Sequence, residues 1–550
     1  MRLNNIFLDQ IFIYLKFIKF NLIFFKKKIY KNNNVVLIEF NSFKSYHVGA
    51  SLLGKVLSEK FNANIESYLE DSFFRYIDKN STFLKNFFFN LLSKLKIKNF
   101  NIYYSFGVNK IFYVPKNDIN KNKAYRIAKK FFRKFNSKND LVNFKLEGVL
   151  YGDLIYDSYL KYYKIPTLNL SDKNIFYFFC KSIEYFFFWK DYFKNNNVCG
   201  VIAPQSTYIS ALPLRMAATV NKISLVANPE RLYNLNKKRL HSHKEFIDFN
   251  RIAKIRDVVM LKKEGAKEAE RRLKLRFSGK VGVDISYLSS SPYEKKIGKT
   301  VLKKSNNIKV LIAPHSFYDS PHSLGNHLFS DYYDWLEFVF KISKSTNYEW
   351  YVKCHPKFHN DYDTTISIVQ LLCKKYKHVK YINNDISHHQ LILEKINYVF
   401  TCNGTIGLEY PYFDIPVINA SKNNPHYFYN FNYNPKSKKE LKNIILNLNK
   451  LNKKINKNKI LEFYFIKNIY FSNDWLFDDF QSLIKYCGGY RKILTTNNAY
   501  KYFLNNNTLN SINHKIKNLK KFINSGDYIF NYLHKDISLK ENILRQKNLY

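Results

Sequence analysis

Between residues 309 and 420 the sequence alternates between short apolar runs rich in β-branched residues and longer amphipathic stretches. Five runs have the length and composition of buried strands: KVLIA, EWYVK, VKYI, YVFTC and PVIN. The stretches between them, such as DYYDWLEFVFKI and TTISIVQLLCKKY, have helical periodicity. Strands that alternate with helices at this spacing predict a parallel, doubly wound sheet.

An alternation of the same kind occupies about residues 35–230. VVLIEF, VCGVIA and ISLVA predict strands there, and HVGASLLGKVLSEKF and SALPLRMAATV predict helices. Because 550 residues are too many for one core, we predict two α/β domains with extensions. The expected parts are a leading segment (1–30), an N-terminal domain (31–236), a charged helical connector (237–300), a second domain (301–436) and a peripheral Lys/Asn-rich helical extension (437–550).

The chain carries a net charge of +46, from 89 Lys and Arg residues against 43 Asp and Glu residues. Such an excess suits an anionic partner such as a nucleic acid, an anionic lipid or a phosphorylated substrate. Codon bias is the alternative, and the even scatter of the lysines favours it. Nucleic acid is not an expected partner, because no zinc-finger spacing, RNP-like stretch or basic zipper is visible. Six cysteines without a CxxC pair predict neither a disulfide framework nor a zinc site.

The leading segment is apolar with interspersed charges. As a helix it places one group of apolar side chains on a single face: Phe7, Ile11, Tyr14, Leu15, Ile18, Leu22 and Phe25. The charges Asp9, Lys16 and Lys19 argue against a spanning helix, and Lys26–Lys28 stands where a signal peptide would have its cleavage site. The pattern favours a helix that lies in an anionic membrane surface, with docking on the protein itself as the alternative. The expected location is the cytoplasm, on the inner face of the plasma membrane.

Polar, turn-forming residues follow three predicted strands of the second domain. In an open parallel sheet, ligands bind beyond the carboxyl ends of the strands. We therefore expect one site made by the residues that follow KVLIA, EWYVK and YVFTC. The predicted binding residues are His315, Ser316, His355, Pro356, Asn403, Gly404, Thr405 and Glu409.

TCNGTIGLE is the most informative of these stretches. Gly404 allows a tight strand-to-helix turn, and the N–H groups that begin a helix favour phosphate. Thr405 can cap the helix or donate to an oxyanion, and Glu409, about one turn later, can accept ribose hydroxyls. An ordinary glycine turn with an N-cap is the alternative. His355 can donate to a phosphate oxygen, while Pro356 fixes the backbone that follows it.

Other motifs narrow the possible ligands. Neither GxGxxG nor a P-loop is present, so a classical NAD site or an ATPase is not expected. In SHHQ, Ser387 predicts a helix N-cap, and a ligand contact by His388 or His389 is the alternative.

In this order, KCHPK, HHQLI, TCNGTIGLE and PVINA resemble the capsule polysaccharide and surface-carbohydrate biosynthesis proteins. That bacterial group includes Kdo-transferase and polysialyltransferase-like enzymes and, more distantly, the glycerophosphotransferases of teichoic acid synthesis. The resemblance implies a GT-B fold, in which two Rossmann-like domains face a cleft. It also implies metal-independent transfer of a sugar, without a cofactor, from a nucleotide-activated donor that is often CMP-linked. The acceptor would be a surface glycan, such as capsule or lipopolysaccharide, or its lipid carrier.

The resemblance also implies roles for individual residues. The donor phosphate would contact His355, and the donor's phosphate and ribose would contact Asn403, Gly404, Thr405 and Glu409. The two domains would divide the substrates, with the donor on the second domain and the acceptor on the N-terminal one.

The acceptor hydroxyl needs a general base from the N-terminal domain, across the cleft. GDLIYDSY offers Asp153, the preferred candidate, and also Asp157, while SYHVGAS offers His47 as the second choice. Asp153 could instead cap a helix, and His47 could be a loop residue. Other functions stay open at this point: a polyol-phosphate transferase on the same fold, a non-catalytic partner in carbohydrate assembly, or a nucleic-acid binder suggested by charge alone.

Overall fold

The structure, a computed structural model, describes most of the chain. The described residues are 2–26, 28–69, 74, 99–114, 121–241, 249–288, 290–294, 298–325, 327–355, 364–421, 423–471, 474–547 and 549. Pro356, one of the predicted binding residues, lies outside them.

The N-terminal domain is built on a six-stranded sheet. Its first strands are β1 (Asn34–Glu39), β2 (Asn64–Leu69) and β3 (Val108–Tyr113), and an antiparallel hairpin of β4 (Lys145–Leu146) and β5 (Val149–Leu150) follows. The sheet continues with β6 (Asn197–Ala203), β7 (Ile223–Ala227) and β8 (Leu232–Asn234). The spatial order is β3-β2-β1-β6-β7-β8, and every neighbouring pair is parallel except β7 with β8. β1 therefore lies inside the sheet, where its apolar run is buried.

The second domain is built on a five-stranded, fully parallel sheet. Its strands are β9 (Lys309–Ile312), β10 (Glu349–Val352), β11 (Val379–Tyr381), β12 (Tyr398–Thr401) and β13 (Val417–Asn419). The order β11-β10-β9-β12-β13 places β9 between β10 and β12. All five predicted strands are present, and the predicted class, α/β with two Rossmann-like domains in a GT-B-like arrangement, is confirmed.

Helices connect the strands and cover the sheets. In the N-terminal half they span Arg2–Phe25, Lys44–Phe61, Asn99–Ser105, Lys121–Phe132, Lys138–Val142, Gly152–Tyr163, Lys173–Asn195 and Leu212–Thr219. The connector contains Phe249–Ile252, Arg256–Met260 and Lys262–Phe277. The second domain contains Tyr332–Ser343, Thr365–Lys375, His388–Leu393 and Ile406–Tyr412, and Lys438–Leu446, at the start of the expected extension, packs into its core. The extension contains Lys457–Phe465, Phe480–Cys487, Tyr490–Thr495, Asn498–Asn505, Leu509–Ser525 and Leu539–Lys547.

The C-terminal extension completes the N-terminal domain instead of lying at the periphery. Phe522 and Phe530 of the extension share one buried core with Val36 of β1. Trp475 packs so closely on Gly49 that a Cβ at this glycine would lie 2.7 Å from the indole ring. The Lys/Asn-rich composition hides this role, because the apolar side chains that fill the core are spaced along amphipathic helices.

The helix Arg2–Phe25 is docked on the protein by one of its faces. Ile13 and Phe17 are buried, and the ring of Phe17 stacks on Tyr500 of the extension with 4.2 Å between centroids. The alternative of docking on the protein itself therefore holds for this face. Within the described ranges, no helix combines the length and the apolar character needed to cross a membrane.

Candidate functional site

A cleft of about 830 Å³ opens at the carboxyl ends of β9, β10 and β12. Its volume is in the range of small-molecule sites, about 300–1,000 Å³. The structure brings most of the predicted binding residues to this cleft: His315, Ser316, His355, Asn403, Gly404, Thr405 and Glu409. The other side is lined by Lys161 and Tyr208 of the N-terminal domain and by Lys467 and Tyr490 of the extension. The cleft therefore lies between the two domains.

His315, in the loop after β9, contacts the turn that follows β12. Its Nε2 accepts the backbone N–H of Asn403 at 3.3 Å and lies 3.2 Å from Oγ1 of Thr401. Accepting this N–H requires an unprotonated Nε2, so the ring is neutral with its proton on Nδ1. Burial, together with the charge of His355, lowers the pKa of His315 to about 4, which agrees with a neutral ring. His315 thus shapes the turn after β12 without carrying a charge.

The turn from Thr401 to Thr405 approaches its neighbours too closely for a larger residue. A Cβ on Gly404 would lie 2.9 Å from Oγ1 of Thr401 and 3.6 Å from Cε1 of His315. Thr405 directly precedes the helix Ile406–Tyr412, and its exposed side chain makes no capping hydrogen bond there. The Thr405 hydroxyl is therefore available to a ligand in the cleft.

Glu409 is held by two side chains that the sequence did not point to. Arg276 donates through Nη2 to Oε1, and the hydroxyl of Tyr293 donates to Oε2 at 2.8 Å. Glu409 is only 4% exposed, so this is a buried ion pair that joins the connector helix Lys262–Phe277 to the second domain. A ribose hydroxyl could reach only the remaining lone pairs of the carboxylate.

Basic side chains line the cleft next to the predicted phosphate-binding turn. Lys353, directly after β10, is 4% exposed, and burial lowers its pKa to about 8. His355 follows two residues later, and His388 reaches the cleft from the helix His388–Leu393. Burial, together with the charge of Lys353, holds the pKa of His388 well below its ordinary value. His388 is therefore neutral, and it is the charge of Lys353, with Arg276 nearby, that makes the cleft attractive to an anion.

Asp153, the preferred candidate for the base, does not line the cleft. It is 2% exposed and forms ion pairs with Nη1 of Arg215 at 3.0 Å and Nε2 of His241 at 2.9 Å. Burial alone would raise the pKa of Asp153, but the charge of Arg215 and the hydrogen bond of His241 hold it well below its ordinary range. Asp157 is equally buried, one helical turn further on. Both carboxylates are engaged inside the protein.

His47, the second candidate, also lies outside the cleft lining. It is fully buried in the helix Lys44–Phe61, where Nδ1 lies 2.5 Å from the hydroxyl of Tyr500 and Nε2 lies 2.6 Å from the carbonyl oxygen of Asn41. Burial and the charge of Lys44 lower the pKa of His47 to about 3. Its contacts fasten the extension to the first strand-to-helix turn.

Several lining residues were missed by the sequence analysis, and one of them carried a usable signal. Tyr208 lies in PQSTY, which directly follows the predicted strand VCGVIA, so the strand-end argument applies to it as well. Arg276 lies in a helix whose many charges give no reason to select one residue, and Lys161 is the single basic residue of a helix that follows no predicted strand end. Their positions depend on how the domains pack.

No family model matches the chain, and no curated protein matches it. Among solved structures it is similar to a glycosyltransferase from Rickettsia africae ESF-5, with 11% identity over 90% of this chain and 100% of that chain and a TM-score of 0.22. It is also similar to S. aureus MnaA in complex with UDP, with 12% identity over 86% of this chain and 97% of that chain and a TM-score of 0.21. The UDP-GlcNAc 2-epimerase from Neisseria meningitidis bound to UDP-GlcNAc matches with 12% identity over 70% of this chain and 81% of that chain, at a TM-score of 0.14.

Proposed function

We propose that the protein is a metal-independent glycosyltransferase. It would move a sugar from a nucleotide-activated donor, CMP-linked as the family resemblance implies, to a surface polysaccharide such as capsule or lipopolysaccharide, or to its lipid acceptor. One observation supports this proposal most. His315, His355 and Thr405, which follow three different strands, line a single cleft between the two domains. Open parallel sheets bind nucleotides at this edge.

The departing phosphate needs positive charge or hydrogen-bond donors as its bond to the sugar breaks. Lys353 and His355 supply the charge and a donor, while the Thr405 hydroxyl and the N–H groups that begin the next helix add further donors. Glu409 orients the ribose through its remaining lone pairs. In this proposal the side chains take the place of a divalent ion, so EDTA should leave nucleotide binding intact.

A thermal-shift series with CMP, CDP, UDP and GDP tests the donor site. A ligand that binds only the folded state raises its stability, by about 2.7 kcal/mol at about 100 times its Kd. We expect CMP to raise the melting temperature and His355→Ala to reduce that shift. His378→Ala is the matched control, because His378 contacts Ser343 in the same domain and is not among the residues that line the cleft. No shift with any of the four nucleotides would contradict the proposed function.

We also propose that the protein lies on the inner face of the plasma membrane through its N-terminal helix. The face of this helix that is turned away from the protein, here called the apolar arc, has six side chains that are 40% to 61% exposed: Leu8, Ile11, Phe12, Leu15, Leu22 and Ile23. Lys16 and Lys19 lie on the same side and are also exposed. An apolar surface with lysines suits an anionic bilayer.

The apolar arc differs from the face expected from the sequence. Tyr14, Ile18 and Phe25 were expected toward the membrane, but Phe25 is buried and the other two pack partly against the core. Helical periodicity locates apolar side chains, but this helix is apolar on two sides and periodicity cannot say which of them docks.

A further inference from the structure

A smaller cavity of about 300 Å³ adjoins the cleft on the side of the N-terminal domain. It is lined by residues that follow β6 and β7 and by the loop that follows β9. Lys161, Tyr208, Asp319 and Ser323 line both spaces, so these four residues form the boundary between them. The two spaces are therefore neighbours, and a group in the smaller one would face a ligand in the larger one.

The smaller cavity is lined mainly by hydroxyl and amide groups. Gln205, Ser206 and Thr207 follow β6, and Ser320 and Ser323 face them from the loop after β9. Among its described lining residues only two, a proline and a valine, are apolar. Such a lining offers many hydrogen bonds and little apolar contact, which suits a polyhydroxylated group better than a lipid tail or an aromatic base.

The boundary between the spaces is built around Tyr208. This residue has φ 64° and ψ 170°, a backbone conformation that is costly for a residue with a side chain and that recurs at functional sites. Nζ of Lys161 lies 3.7 Å from the centroid of its ring. The hydroxyl of Tyr208 lies 3.5 Å from Oδ1 of Asp319. Lys161 and Asp319 thus both contact Tyr208 at the boundary between the two cavities. The side chain of Asp319 is exposed there and lines both of them.

Asp319 and Glu409 are the only carboxylates among the described residues that line either space. Both oxygens of Glu409 already accept hydrogen bonds, from Arg276 and from Tyr293. Asp319, by contrast, has an exposed side chain, and the hydroxyl of Tyr208 is 3.5 Å from its Oδ1. A group that accepts a proton must be reachable by the hydroxyl that gives it up. Asp319 meets this requirement, and the buried Asp153 does not.

We propose that the smaller cavity is the acceptor subsite for a sugar hydroxyl and that Asp319 is the catalytic base, an inference that rests on the proposed glycosyl transfer. The acceptor oxygen forms a bond to the anomeric carbon of the donor as the bond from that carbon to the phosphate oxygen breaks. The bonding electron pair leaves on the phosphate, and the acceptor proton passes to a carboxylate oxygen of Asp319. Attack from the side opposite the phosphate inverts the anomeric configuration.

The test measures nucleotide release from CMP-N-acetylneuraminic acid, CMP-Kdo and UDP-GlcNAc, with water as the acceptor and then with methyl hexosides as sugar probes. We expect a methyl hexoside to stimulate release by the wild-type protein. Asp319→Asn should lower release by about 10²–10⁴-fold, the usual contribution of a general base, and should leave the nucleotide-induced shift in melting temperature unchanged. Asp414→Asn, at an exposed carboxylate paired with Lys457, is the matched control and should behave like the wild type.

Thr207→Trp tests the subsite separately, because an indole there would fill the smaller cavity and leave the donor cleft open. Thr207→Trp should abolish the stimulation of nucleotide release by the methyl hexoside. Nucleotide release with water as the acceptor and the nucleotide-induced shift in melting temperature should remain. Thr207→Ser should keep the stimulation, the release to water and the shift. Wild-type stimulation in Thr207→Trp would overturn the subsite, and wild-type release in Asp319→Asn would overturn the base. Nucleotide release that no methyl hexoside stimulates would overturn the acceptor class. If the wild-type protein showed neither a nucleotide-induced shift in melting temperature nor nucleotide release from any donor, the proposed function itself would be contradicted.

Discussion

Oδ1 of Asp157 lies 2.6 Å from Nδ1 of His322, and this buried contact joins the two domains. Asp157 lies in the helix Gly152–Tyr163, and His322 lies in the loop after β9. The other ring nitrogen, Nε2, is 2.9 Å from the carbonyl oxygen of Ser330. Because both partners are acceptors, the ring carries a proton on each nitrogen and is positively charged. Burial opposes this charge, but the carboxylate of Asp157 outweighs it and raises the pKa of His322 above its ordinary value.

His322→Asn should therefore destabilise the protein in a pH-dependent way. Removing one partner of a buried ion pair costs about 3–5 kcal/mol. A histidine whose pKa is raised on folding contributes its full stabilisation below the unfolded pKa of about 6.5, and loses it as the pH rises through the folded pKa. The difference in free energy of unfolding between wild type and variant, from urea titrations, should be largest at mildly acidic pH. If it stayed constant as the pH rose, His322 would not be charged in the folded protein.

The affinity for nucleotide should fall as the pH rises through the pKa of Lys353. Burial sets that pKa at about 8, so the ammonium group that attracts phosphate is lost at a moderately alkaline pH. Lys353→Arg keeps its charge at every accessible pH and should flatten the dependence, while Lys353→Met should bind weakly throughout. Calorimetric titrations with the nucleotide that gives the largest thermal shift, on both sides of pH 8, measure this. A pH-independent affinity in the wild type would show that Lys353 does not contact the phosphate.

Glu409→Ala should cost stability as well as nucleotide affinity, because it leaves the guanidinium of Arg276 buried without its partner. The expected loss is about 3–5 kcal/mol in the free energy of unfolding. Combining Glu409→Gln with Arg276→Met should cost less than the two single changes together, since the pair acts as a unit. Glu270→Ala breaks an exposed pair with Lys274 on the same helix and should have little effect, which makes it the matched control. Additive losses in the double variant would mean that the two side chains are not coupled.

The five strands of the second domain were predictable because each is a short apolar run inside a parallel sheet. The strands β2 and β3 were not, because NIESYL and VNKIFY carry polar residues within the run. Glu66 shows why such a residue is tolerated: its carboxylate accepts a hydrogen bond from the hydroxyl of Tyr192 at 2.8 Å. The partner comes from the helix Lys173–Asn195, far along the chain, so the strand sequence alone gives no sign of it.

The functional site also has a part that the sequence predicts and a part that it does not. The carboxyl ends of neighbouring parallel strands meet at one edge whatever the loops do, which is why His315 and His355 were predicted to share a cleft. The surroundings of Asp153 depend on Arg215 and His241, which lie 62 and 88 residues further along the chain. A local pattern around Asp153 cannot tell a catalytic carboxylate from one that is neutralised by such distant partners.

Replacing Leu8, Phe12, Leu15 and Ile23 by glutamine should release the protein from anionic liposomes. These side chains of the apolar arc are at least half exposed, so the fourfold variant should keep the fold of the wild type. Burying an apolar side chain contributes about 1.5–3 kcal/mol, so losing several of them should exceed what the lysines can supply alone. Co-sedimentation with phosphatidylcholine liposomes, with and without phosphatidylserine, measures the binding.

Two controls separate membrane contact from folding and from charge. Deleting the helix is unsuitable, because Ile13 and Phe17 are part of the core and their loss would uncover Tyr500. Lys16→Gln with Lys19→Gln should instead weaken binding to the anionic liposomes by about 1 kcal/mol per lysine and leave the apolar arc intact. Far-UV circular dichroism and the nucleotide shift report whether each variant is folded. A fourfold variant that is folded and still sediments with the liposomes would remove the apolar arc as the membrane-binding surface.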